Sequence, residues 1–234
     1  MQTGFLDRSI VHDGTRHPYQ LYVPSSYDAS RAWPVVLFLH GAGERGNDGL
    51  RQTTIGIGPA IRRWPERFPA IVVMPQAPLG STWVGPAGEA ALAALDRTCG
   101  ELSVDLDRVY LTGLSMGGHG SWLLAYHHAK RFAALLVVCG PVGDRPNRPT
   151  LVPAGEGTPY QRVAARVGNL PTWIVHGEAD SVVSVVESRR MAEAMRAVGA
   201  DVRYTELPGT EHDAWTPTYG SESIVAWLFT QRRR

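Results

Sequence analysis

The sequence predicts a doubly wound α/β domain, a mostly parallel sheet with helices on both faces, and three observations carry that expectation. Five segments read as near-continuous apolar runs: "WPVVLFLHG" (33–41), "FPAIVVMPQAP" (68–78), "RVYLTGLS" (108–115), "FAALLVVCG" (132–140) and "LPTWIVHGEAD" (170–180). That is the composition of strands covered on both faces of a parallel sheet. Segments with apolar residues at helical spacing lie between them. The length of 234 residues suits one undivided unit with a sizeable core, since α/β folds run to ~200–250 residues. A single domain over residues 1–234 is therefore expected.

The elements follow in order. "SIVHDGTRHPYQLYVP" (9–24) holds two strand-like runs joined at Asp13-Gly14, a turn-forming pair, so an antiparallel hairpin precedes the parallel strands. The run 33–41 is the first parallel strand. Residues 46–63, rich in Gly, Thr and polar side chains, read as a loop bordering whatever site the sheet carries. After the strand at 68–78, "GEAALAALDRTCGEL" (88–102) has helical periodicity. The strand at 108–115 leads into "GSWLLAYHHAKR" (120–131), an apolar helix. Residues 141–170 contain five prolines and four glycines, which argues against a large helical cap and leaves "YQRVAARV" (160–167) as a short crossover helix. "VESRRMAEAMRAVG" (186–199) closes on Gly199 as a C-cap signal, and "VRYTELPGTEH" (202–212) supplies a last strand.

Composition excludes several function classes. Lys plus Arg number 23 against 22 Asp plus Glu, a net charge of +1, so no global field favours nucleic acid or an anionic membrane. Arg232-Arg233-Arg234 reads as a solvated tail. No apolar run approaches the ~20 residues of a membrane-spanning helix, and "MQTGFLDRSIVHDG" lacks a basic-then-apolar leader. The chain as it stands is expected to be cytoplasmic, or secreted if a leader has been cut away. Cys99 and Cys139 lack C-x-x-C spacing and read as buried thiols, so neither a disulfide framework nor a metal motif is expected.

The chemistry sits at the strand ends. Gly113-Leu114-Ser115-Met116-Gly117 is a G-x-S-x-G pattern placed where a strand turns directly into a helix. Such a turn strains its central residue and demands that neighbouring side chains be absent, which marks Ser115 as a nucleophile on an elbow. Taken alone the pattern is weak, because Gly-Ser turns are common. Its weight comes from the other strand ends, which in a parallel sheet open onto the same crevice. A serine hydroxyl needs a base to take its proton as it attacks a carbonyl. His212, in "PGTEHDAW" (208–215), is the candidate. The imidazole in turn needs a carboxylate to fix its tautomer, and Asp180, in "VHGEADSVV" (175–183), is assigned that part, with Glu178 and Asp213 as alternatives. The developing oxyanion needs backbone donors, assigned to Met116 and, in "LHGAGERG" (39–46), to Ala42, with Gly43 close behind. Trp83 and Trp215 are expected to wall the pocket, though either could be core, and Gln76 is a further lining candidate. His40 and His176 both precede glycine at strand ends and read as packing or loop-orienting residues. His127-His128 has no metal-ligand spacing.

Taken together, "LHGAGERG", "PQAP" followed by "STW", "GLSMGG", "HGEADSVV" and "EHDAW" resemble the α/β-hydrolase superfamily, whose chain order of Ser, Asp and His they repeat. Within it, the chain is similar to bacterial esterases related to feruloyl esterases and to the phospholipase/carboxylesterase group, some of them described as predicted peptidases. The resemblance spans nearly the whole chain. It implies carboxylic ester hydrolysis through an acyl-serine intermediate, without metal or organic cofactor. Serine at the elbow sets the chain apart from the dienelactone hydrolase branch, which uses cysteine. An open cleft edged by Trp83 and Trp215 suits short-acyl or aromatic, feruloyl-like esters, small or polymer-linked. Two other readings stand beside this one. A serine peptidase of the same fold would have to protonate a poorer leaving group. A non-catalytic hydrolase-fold binding protein would be expected to have lost a triad member, and none is missing.

Overall fold

The computed structural model describes residues 2–143 and 151–233. At its N-terminal end, β1 (Gly4–His12) and β2 (Thr15–Val23) pair antiparallel around Asp13 and Gly14, whose φ angles are 47° and 73°. Two central residues at positive φ match the right-handed twist of the paired strands, and Asp-Gly accepts that geometry readily. The remaining strands are β3 (Trp33–Leu39), β4 (Ile71–Pro75), β5 (Val104–Leu114), β6 (Ala134–Val138), β7 (Thr172–Gly177) and β8 (Val202–Leu207). They complete an eight-stranded sheet in the order β1-β2-β4-β3-β5-β6-β7-β8. β2 joins β4 antiparallel, and every pairing from β4 to β8 is parallel. β3, β4 and β6 are buried along their whole length, as their unbroken apolar sequences require.

The α-helices are α1 (Ile57–Arg63), α2 (Pro86–Glu101), α3 (Met116–His128), α4 (Pro159–Val167), α5 (Val186–Ala197), α6 (Trp215–Gly220) and α7 (Glu222–Thr230). Apolar residues of α2, α3, α4 and α5 share one core with the sheet, and those of α1, α6 and α7 build the other. The sheet is thus doubly wound. Its central strands run parallel, so the ends of β3, β5, β7 and β8 meet along one edge.

The structure departs from the sequence expectation in four places. Residues 46–63 are not all loop, because α1 forms there despite its glycine and proline. α6 and α7 were not anticipated; Asp213 caps the first through the Thr216 N–H, and Ser221 caps the second. α3 starts at Met116, directly after the elbow, and its glycines are packing points: a Cβ at Gly120 would strike the Trp83 side chain. Arg232 and Arg233, though exposed, are paired with Asp105 and Asp107 rather than free, and Arg234 lies outside the described residues. α4 is the short crossover helix expected, started by a Thr158/Gln161 capping box. Residues 144–150 of the stretch expected to lack a cap lie outside the described residues. Among the described residues no helix is long and apolar enough to cross a membrane, and Cys99 and Cys139 are both free.

Candidate active site

Ser115 stands between β5 and α3 with φ 52° and ψ −116°, a backbone that costs a non-glycine residue roughly 1–3 kcal/mol. The flanking glycines show why the turn tolerates nothing else. A Cβ on Gly113 would collide with the Gly117 carbonyl, and one on Gly117 with the Leu39 carbonyl at the end of β3. The turn is held by the Ser115 N–H donating to Val138 of β6 (2.9 Å).

The structure brings three of the sequence-assigned residues together. The Ser115 hydroxyl donates to His212 Nε2 (3.0 Å), and His212 Nδ1–H donates to Asp180 Oδ2 (2.7 Å). The Asp180 side chain is buried, and its Oδ1 accepts the backbone amides of Val182 (2.9 Å) and Val183 (2.8 Å). Burial pushes its carboxyl upward, but the hydrogen bonds from His212, Val183 and Val182 outweigh that and hold it below the usual carboxylate range. Asp180 is therefore ionised and keeps the Nδ1–H tautomer that leaves Nε2 free to accept the serine proton. The alternative carboxylates are spent elsewhere: Glu178 is exposed and accepts from Gly209 N, and Asp213 caps α6.

The loop after β3 lies against this elbow. A Cβ on Gly41 would sit 3.8 Å from Ser115 Cβ, and Ala42 follows in a short 3-10 turn, while Met116 opens α3 directly after the serine. His40 anchors the loop. Its Nδ1–H donates to Gly41 O (2.6 Å) and its Nε2 accepts the Ala77 N–H (2.9 Å), which requires a neutral ring; burial lowers its pKa to about 4.

One expected pocket wall, Trp83, and the lining candidate Gln76 are supports of that loop. Gln76 is 2% exposed, donating to Glu44 O and Asp48 Oδ1 and accepting from Gly49 N. Trp83 is 1% exposed, with its indole N–H on His40 O (3.0 Å). The physical reason is the same for both: backbone groups of the loop need buried partners, and these side chains supply them. Trp83 also borders a groove of about 640 Å³ between α2 and α3, but none of Ser115, Asp180 or His212 lines it. Trp215 does stand at the site, half-buried and edge-on to His212 at 5.2 Å.

Three neighbours escaped the sequence reading. His176 reaches Asp180 Oδ2 (3.1 Å). Cys139, at φ 41°, buries its thiol beside Asp180 and His212, and burial pushes that thiol far above its ordinary pKa, which keeps it neutral. Glu44 folds back toward Gly41, and burial raises its carboxyl. Only the His-x-x-x-Asp spacing of His176 and Asp180 is visible in the sequence.

A crystal structure of a thermostable esterase is 32% identical, with a TM-score of 0.82, over 98% of this chain and 63% of that one. The chain has the α/β-hydrolase fold. As in an α/β-hydrolase, the serine follows a central parallel strand, the acid and base follow later ones, and an antiparallel hairpin opens the sheet. No family model matches the chain. An uncharacterized secreted protein of Arthroderma benhamiae is 26% identical over 229 residues, 90% of this chain and 24% of its own length. Probable feruloyl esterase C of Aspergillus niger is 30% identical over 140 residues, 56% of this chain and 49% of its own. The chain thus spans from about a quarter to about half of the curated relatives it matches.

Proposed function

We propose that this chain is a serine carboxylesterase, with residues 1–234 forming one hydrolase domain. The observation that carries the reading is the unbroken line from Ser115 Oγ through His212 to buried Asp180, mounted on a strained elbow beside the loop of Ala42. Ser115 attacks the ester carbonyl carbon as its proton passes to His212 Nε2, and the Met116 and Ala42 amides hold the oxygen that becomes negative. The bond to the alcohol oxygen then breaks, and that oxygen leaves with the proton from His212. Water repeats the sequence on the acyl-serine, releasing the acid and restoring the hydroxyl. Asp180 stays ionised throughout and steadies the imidazolium.

The substrates proposed are short-acyl or aromatic, feruloyl-like esters. The likeness to a probable feruloyl esterase supports an aromatic acyl group. Trp215 beside the base offers it a surface on which to stack. A long acyl chain would need enclosed apolar surface to gain ~0.8 kcal/mol per methylene, which the open cleft of this reading does not offer. Rates on p-nitrophenyl esters from acetate to palmitate, and on methyl ferulate, test it. Expected are a short-chain optimum, turnover of the ferulate ester and no jump in rate when emulsion droplets form. A long-chain optimum or interfacial activation would contradict it.

A further inference from the structure

Asp180 receives more donors than the orientation of one imidazole requires. His176, near the end of β7, is wholly buried, and its ring is gripped on both sides. Nδ1 lies 2.7 Å from Ser188 Oγ of α5, while Nε2 faces Asp180 Oδ2 (3.1 Å) and the Val183 carbonyl (2.9 Å). Two acceptors on Nε2 fix the tautomer: Nε2 carries the proton and Nδ1 accepts from the Ser188 hydroxyl. Asp180 then has four donors, two backbone amides on Oδ1 and two imidazole N–H groups on Oδ2. A carboxylate offers about four lone-pair sites, so this one is saturated without water.

We propose that His176 is a positioning residue of the site, a second imidazole N–H on the same carboxylate oxygen that orients His212. It locks the Asp180 rotamer and takes up part of its charge, which limits how strongly Asp180 holds the His212 proton. The inference rests on the triad reading above. The other titratable groups facing this cluster are Cys139 beside Asp180 and His212, Asp213 toward Cys139, and Glu206 of β8 toward His176. All of them stay in place in the variants that test the idea.

The experiment measures kcat and KM on p-nitrophenyl acetate across pH for wild type, H176F, H176Q and D180N, and for H176F in the D180N background. Without the second donor, Asp180 pulls harder on the His212 proton and the imidazolium persists to higher pH. H176F is expected to lower kcat about tenfold with KM within about twofold. It is also expected to move the acid limb of kcat/KM upward by about half a unit. H176Q, which keeps an N–H, restores most of the rate, and H176F adds less than about twofold once Asp180 is Asn. Should the buried phenylalanine prevent folding, H176A, which also removes the N–H but adds no bulk, must move the acid limb in the same direction. An unmoved acid limb, or an H176F loss that persists in full in D180N, overturns the assignment of His176 alone. A folded wild type without esterase activity would overturn the triad reading and this inference together.

Discussion

β3 runs into His40-Gly41 and β7 ends in His176-Gly177, and the two buried imidazoles do opposite things. His40 protonates at Nδ1 and ties backbone to backbone, from Gly41 O to Ala77 N. His176 protonates at Nε2 and ties a side chain of the triad. The glycines that follow act alike: a Cβ on Gly41 would come within 3.0 Å of Leu114 beside the elbow, and one on Gly177 would collide with the Thr210 and Glu211 carbonyls just before His212. In both places glycine admits the loop that carries the chemistry and the histidine fastens what comes near. Which tautomer results is decided by the neighbour, an amide N–H in one case and a carboxylate in the other.

The largest expected effect falls on the His176 side. D180N puts an amide where two imidazoles need an acceptor, and kcat on p-nitrophenyl acetate should drop by about 10³–10⁴-fold with the fold retained. E178Q, on an exposed carboxylate, should stay within about twofold. A reversal of that order would move the acid away from Asp180.

The His40 side should show in stability rather than turnover. Its folded pKa, about 4, lies below the ~6.5 of an unfolded histidine, so between these values the unfolded chain binds the extra proton. Stability is then whole above about pH 6.5, falls as pH drops, and the loss levels off below about pH 4 at roughly 3 kcal/mol. His176, also lowered by burial, acts in the same direction. Urea unfolding at pH 7 and pH 4.5 measures the fall, and H40Q should flatten part of it. Equal flatness in wild type would mean that His40 is not held neutral. A smaller effect is expected at Trp215, where W215A removes an edge-on ring contact worth about 0.5–1.5 kcal/mol and should slow kcat a few-fold without shifting its pH profile.

Much of this was legible in the residues. Strands buried on both faces need unbroken apolar runs, and β3 to β7 have them; an elbow needs Gly113 and Gly117, and the order Ser115, Asp180, His212 supplied the proposed triad. What was not legible depends on where the backbone ends up. Trp83 was expected as a pocket wall and Gln76 as a lining residue, yet which carbonyls would need a buried donor is known only once the 40–49 backbone is folded. α1 was hidden because "GIGPAIRR" opens on Gly56, held at φ 61°, and contains Pro59. Cys139 reaches the site only because β6 lies beside β5 and β7 in the sheet, and nothing in "VVCGP" records that neighbourhood.

Ser115 as the acylated nucleophile is tested most directly by an active-site fluorophosphonate followed by mass spectrometry of the intact protein and its peptides. Wild type should take up one phosphonyl group, on the peptide carrying Ser115, and H212A should label far more slowly. S115A should not label. Labelling that survives in S115A, or a folded wild type that takes up no label, would contradict the proposed relay.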